Sequence, residues 1–104
     1  MQNAATFYYH HKHNPSVDVS NCAYEVMGIA WHTEQNMSLV IYRPLYPCDI
    51  ALFARPYEMF FGDVRLDLEM IPYVHFHKVP RFRPVPEGAA LEQLRAISRE
   101  MYPR

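Results

Sequence analysis

The sequence predicts a mainly β fold, a small barrel or roll, with an α-helix at its C-terminal end. Three observations lead there. Most of the chain reads as short extended segments with alternating or continuous apolar residues. Nine prolines against three glycines interrupt those segments at short intervals. Helical spacing of apolar residues is confined to the last stretch. With 104 residues, half of them apolar or aromatic, the chain can bury a core of one domain's size. High hydrophobicity at near-zero net charge argues against disorder.

The elements follow in order. Thr6–Lys12 is extended and aromatic, with Phe7, Tyr8 and Tyr9. His13–Asn21 carries Asn14-Pro15-Ser16 and Ser20-Asn21, turn formers that mark a loop. Cys22–His32 is a strand with Gly28 in its middle, where a glycine suggests a bulge. Thr33–Asn36 is a polar turn, and Met37–Arg43 is the clearest strand, so 22–32 and 37–43 read as a hairpin. Pro44, Pro47 and Asp49 break the ladder, and Ile50–Arg55 forms another strand that Pro56 stops. Tyr57–Phe61 is a single helical turn expected to carry Met59 and Phe60 into the core. Val64–Leu68 alternates as a half-buried strand. Ile71–His77 and Lys78–Arg83 are further extended segments bounded by Pro72, Pro80 and Pro84. Glu87–Met101 is a helix with Leu91, Leu94, Ile97 (or Ser98) and Met101 on one face. Early Glu87 and Glu92 and late Arg95 and Arg99 suit its dipole. The organisation expected is therefore a barrel over 1–86 and an appended helix over 87–104. The helix stripe either covers the barrel or pairs with a second copy as a homodimer.

Composition narrows the function classes. Ten Lys+Arg offset eleven Asp+Glu, for a net charge of −1. No whole-chain field draws the protein to nucleic acid or an acidic membrane. Glycines 28, 62 and 88 stand too far apart for a phosphate-binding loop, and no cofactor is expected. No apolar run approaches the roughly 18 residues of a membrane span. Met1–Tyr9 shows neither a basic start nor an apolar stretch of the secretory kind, so a cytoplasmic protein is expected. Its two cysteines, Cys22 and Cys48, then read as reduced thiols.

An ordered set of short pieces runs along the chain: Tyr9-His10-His11-Lys12; Tyr24-Glu25-Val26-Met27-Gly28-Ile29-Ala30 and His32-Thr33-Glu34; Val40-Ile41-Tyr42-Arg43 and Leu45-Tyr46; Arg55-Pro56 with Met59-Phe60; and Val79-Pro80-Arg81-Phe82. In that order and spacing, residues 9–82 resemble the small, mostly bacterial proteins of domain of unknown function 1653. The resemblance implies an SH3-like barrel and brings no activity with it. The loop His13–Cys22 and the connection from Asp67 to Val79 look longer than the family's, Phe53 stands where tryptophan is common, and the helix lies outside the match.

Several constellations are candidates for chemistry. Tyr42, Tyr46 and Tyr57 can line a groove, because eight tyrosines, six phenylalanines and one tryptophan exceed what so small a core needs. Arg43 and Arg55 each precede a proline, which holds them extended; their forked guanidiniums suit a carboxylate or phosphate. The plainer reading pairs them with Glu25, Glu34 or Glu58. A small enzyme would use His32 and Glu34, two apart on an extended segment, as an acid–base pair, with Arg55 positioning an anion. The plainer reading makes His32 a turn-holding residue. His75 and His77 share a strand face and could chelate a metal, as could His11 and His13, with His32, Cys22 or Cys48 to supply a further ligand, but neither Cys-x-x-Cys nor His-Glu-x-x-His spacing is present. Cys48 lacks an assigned base other than His32. The run Phe76–Arg83 is a local basic–aromatic patch of the kind RNA-binding barrels use, although Phe82 reads better as core. The favoured function is a non-enzymatic binding module for an unknown ligand or protein partner, with Tyr42, Arg43, Tyr46, Arg55 and Tyr57 as its site.

Overall fold

The computed structural model describes residues 6–66 and 77–103. Its strands are β1 (Phe7–His10), β2 (Ala23–His32), β3 (Met37–Pro44), β4 (Phe53–Pro56), β5 (Asp63–Leu66), β6 (His77–Pro80) and β7 (Phe82–Pro84). A single helical turn, α1 (Tyr57–Phe60), follows β4, and α2 (Ala89–Met101) ends the chain. The long sheet is antiparallel in the order β4-β3-β2-β1-β7, and β5 and β6 form a second, two-stranded sheet.

The hairpin β2–β3 is the spine of the molecule. Its turn is closed by the amide of Asn36 donating to the carbonyl of His32, with Asn36 at φ 51°, a left-handed position that asparagine tolerates. From that turn the strands pair in step from His32↔Met37 to Gly28↔Ile41. The register then slips, and Val26 faces Tyr42. Met27 is the extra residue of this bulge. The slip decides the rest of the sheet. In step with the turn, Glu25 would face Pro44; after the bulge it faces Arg43. Gly28 keeps a negative φ and has open space where a Cβ would stand, so the bulge does not depend on glycine. Gly62 is different: a Cβ there would lie 2.6 Å from the carbonyl oxygen of Glu58.

Each face of the long sheet carries its own core. On one, Phe7, Tyr9, Ala23 and Leu45 pack with Val85 under Leu91 and Leu94 of α2. On the other, Tyr8, Val40, Tyr42 and Phe82 pack around Phe60, which α1 inserts. Strand alternation explains the division: Tyr8 and Tyr42 point one way, their chain neighbours Phe7, Tyr9 and Arg43 the other.

Several expectations are corrected. The sheet is not closed. Its edges, β4 and β7, are not hydrogen-bonded to each other, so a barrel holds only approximately. Both edges are short and end in proline, which withholds a ladder donor; they meet through side chains, with the Arg55 guanidinium carbon 5.7 Å from the Phe82 ring centre. The strand expected from Ile50 begins only at Phe53, and Ile50 and Leu52 are exposed. Of the pair expected to enter the core from α1, Phe60 is fully buried and Met59 is exposed. The segment 78–83 is two strands broken at Arg81, whose amide donates to Gly62. The helix starts at Ala89 rather than Glu87. Its stripe packs on its own sheet through Leu91, Leu94, Ser98 and Ile97, while Met101 is largely exposed. The extension expected over 71–76, and His75 with it, lies outside the described residues.

Candidate functional site

The bulge places Glu25 and Arg43 side by side on the α2 face. Arg43 donates from Nε (3.1 Å) and Nη2 (2.9 Å) to one carboxylate oxygen of Glu25. Ser98 of α2 donates to the same oxygen at 2.6 Å. The Arg43 guanidinium lies 3.8 Å over the Tyr102 ring, and the Tyr102 hydroxyl donates to the carbonyl of Pro44. Both charged side chains are mostly buried. An ion pair, its hydrogen bonds and a ring face meet here, so this Arg43 network is a clasp holding the helix to the sheet.

The opposite face presents a different arginine. Arg55 stands across from Val40 on β4, with Phe53 two residues before it on the same side. Its Nε donates to the Tyr42 hydroxyl at 3.2 Å. Among the described residues no carboxylate pairs with it. Around it the aromatic rings interlock. Tyr42 lies offset-parallel to Phe53, with centres 5.5 Å apart, and Phe82 stacks on Phe60 at 4.1 Å. Tyr24 meets Tyr42, Tyr46, Phe53 and Phe82 edge-on. The Tyr24 and Tyr46 hydroxyls share a 2.6 Å hydrogen bond. Burial and that bond push the Tyr24 hydroxyl well above its ordinary pKa, so it stays neutral. Tyr42 and Phe82 are buried, whereas Tyr24, Tyr46, Phe53 and Arg55 are half-buried and form the mouth.

His10 completes this edge. It pairs with Phe82 across β1 and β7, and the two rings meet edge-on at 5.1 Å. Its Nδ1 accepts the amide of Lys12. Burial, the neighbouring His11, and the charges of Arg55, Lys12 and Arg81 lower its pKa from 6.5 to about 4.

The structure therefore divides the five residues expected as one site. Tyr42, Tyr46 and Arg55 belong to the aromatic mouth. Arg43 points to the other face and is consumed by the clasp. Tyr57 lies against Phe61 and lines a separate cleft of about 620 Å³ with Ile29, Ser38 and Met59. The trio His32, Glu34 and Arg55 is not brought together. His32 turns its Nδ1 to the amides of Glu34 and Gln35 in its own turn, Glu34 is exposed, and no contact joins them to Arg55 among the described residues. No group of three His, Cys, Asp or Glu forms a metal cluster among the described residues. Both cysteines are free, Cys22 half-buried and Cys48 exposed.

Sequence reasoning missed the parts that Tyr24, Phe53 and His10 play at this mouth. Alternation along Tyr8-Tyr9-His10 gave a usable signal, since it puts His10 on the side of Tyr8. The partner strand β7 lies more than 70 residues away in sequence and left none.

The family model described as Protein of unknown function (DUF1653) matches residues 6–84. The chain belongs to that family. The match takes in both arginines and the seven strands of the described residues, and ends before α2. No curated protein and no solved structure matches the chain.

Proposed function

We propose that this member of the DUF1653 family is a small, non-enzymatic recognition module, whose ligand site is the half-buried mouth formed by Tyr24, Tyr46, Phe53 and Arg55. The observation that carries the reading is the state of Arg55. Tyr42 and Phe82 hold the guanidinium in place, its Nη groups have no carboxylate partner among the described residues, and half-exposed aromatic rings stand beside it. A pre-positioned arginine beside aromatic surface suits a flat ligand bearing an anionic group. The site needs no metal and no acid–base pair to do this. His32 as a turn-holding residue supports binding over catalysis, because its Nδ1 acceptor is already occupied. The helix stripe serves the chain's own sheet, which supports a capping helix over a dimer through α2. Among the described residues no helix is long and apolar enough to cross a membrane, and a cytoplasmic ligand remains part of the reading.

The test uses benzoate and related aromatic acids, followed by ligand-observed NMR. The parent protein should bind some of them; Arg55→Ala should lose the signal while keeping the melting temperature, and Tyr46→Ala should lose it while staying folded. Undiminished binding by Arg55→Ala overturns the reading, as does turnover of any of these compounds that His32→Ala abolishes.

A further inference from the structure

We propose that the mouth of the aromatic face is a site for a phosphate dianion, free or carried as a monoester, held by Arg55, Lys12 and Arg81 with His10 as an additional donor. This deepens the recognition reading and rests on it. His10 and Arg55 both pack against the Phe82 ring, one from β1 and the other from β4. Arg81 immediately precedes Phe82, and its carbonyl accepts the amide of His11 at 2.9 Å. Lys12 folds back so that its amide reaches the His10 ring. Three permanent cations are thus gathered at one end of β1 and β7, from three separate parts of the chain.

None of the three has a carboxylate partner among the described residues. Glu25 pairs with Arg43 and Glu92 with Arg95 instead. Arg81 gives its Nε to the carbonyl of Met59, and Arg55 gives its Nε to Tyr42, so both keep their terminal amino groups. In a chain of net charge −1, an uncompensated group of three cations is a local feature, not a consequence of composition.

The count of charges selects the ligand class. A carboxylate brings one negative charge, and a phosphodiester also brings one. A phosphomonoester brings about −1.5 to −2 at pH 7, with three strong acceptor oxygens. Of these three it comes closest to matching three cations.

His10 makes the match proton-linked. The groups that face it are His11 and Lys12 from its own end of β1, Arg81 beside it, and Arg55 from β4. Burial is the larger cause of its lowered pKa, and these groups, all positive or able to become so, add to it, so the free ring is neutral down to about pH 4. With Nδ1 accepting from Lys12, a neutral His10 carries its proton on Nε2 and can donate it in a hydrogen bond. An arriving dianion offsets the surrounding positive charge and raises the pKa of the ring.

The experiment titrates the full chain with inorganic phosphate and with phenyl phosphate. Heat of binding is recorded, and the His10 ring is followed by NMR across pH. Both compounds should bind, and either should raise the His10 pKa by about one pH unit. Arg55→Gln should weaken both by at least about tenfold and remove the His10 response, at an unchanged melting temperature. Tighter binding of phenyl phosphate supports an organic monoester as the ligand, and equal affinity supports the free ion. An unmoved His10 titration at saturating phosphate overturns the proposal, as does Arg55→Gln binding phosphate like the parent. Dimethyl phosphate binding as well as phenyl phosphate overturns it too, because the charge match then plays no part. If benzoate binds through Arg55 and neither phosphate binds, the dianion site falls while the recognition reading stands. If no anion of either class binds, both fall.

Discussion

On the helix-covered face, Arg43 gives two N–H groups to Glu25, lies on the Tyr102 ring and adjoins Ser98. On the aromatic face, Arg55 gives one N–H to Tyr42 and has no carboxylate partner among the described residues. The two residues look alike in sequence, each an arginine before a proline, each in the sheet and each inside the family match. What separates them is alternation along the strands and what closes each face. A thirteen-residue helix closes the first with Leu91 and Leu94, and its Ser98 donates to the Glu25 carboxylate that Arg43 pairs with. A four-residue helical turn closes the second with Phe60 and leaves the rim half open. A satisfied charge network fastens elements together; a pre-positioned and unsatisfied one is available to a ligand.

The largest effects should come from the two cores. Leu94→Ala and Phe60→Ala each remove a side chain with no solvent exposure, one from each face. Each should cost about 2–5 kcal/mol in urea unfolding. If either costs less than about 1 kcal/mol, that face is not a packed core. The contrast between the arginines comes next. Arg43→Ala strands a mostly buried Glu25 carboxylate and should cost about 1–3 kcal/mol. Arg55→Ala should stay within about 0.5 kcal/mol of the parent. Equal losses would erase the distinction drawn between the faces.

Smaller still is the hydroxyl pair. Tyr46→Phe removes the bond to Tyr24 and should cost about 0.5–1.5 kcal/mol. The folded protein holds the Tyr24 proton more tightly than the unfolded chain, whose tyrosines titrate near 10. Stability from this group is complete below pH 10 and is lost as pH rises beyond it. Alkaline unfolding should therefore steepen above pH 10, and Tyr24→Phe should remove part of that slope. A further effect lies on the acid side. His10 has its folded pKa lowered from 6.5 to about 4, so the unfolded chain takes up the proton first. Stability is intact above pH 6.5 and falls as pH drops toward 4. His10→Gln should flatten that decline; an unchanged acid limb would mean that His10 is solvated in the fold.

The strands, the hairpin, the bulge and the terminal helix were legible in the sequence because each depends on neighbours within a few residues. Gly28 pointed to the bulge, although Met27 is the residue that bulges. The candidate site was only half legible. Tyr42, Tyr46 and Arg55 were expected together and are found on one face. Arg43 stands next to Tyr42 in sequence, but alternation turns it to the other face; its pairing with Glu25 follows from the one-residue slip at the bulge, whose consequence no local signal gives. His10 and Phe82 meet only through the pairing of β1 with β7. Such a contact depends on the closure of the whole sheet, which no local periodicity records. The exposed ends of Ile50 and Met59 were misjudged for a related reason: apolar character sets a preference for burial, but what lies opposite decides it.

The most direct test of the division of labour between the faces is a map of backbone and side-chain NMR shifts on adding phenyl phosphate to the full chain. Changes should concentrate at His10, Lys12, Tyr24, Tyr46, Phe53, Arg55 and Arg81, with Glu25, Arg43, Ser98 and Tyr102 still. Changes centred on Arg43 and the end of α2 would contradict that division, and would make the helix clasp, rather than the aromatic mouth, the place where this protein meets its ligand.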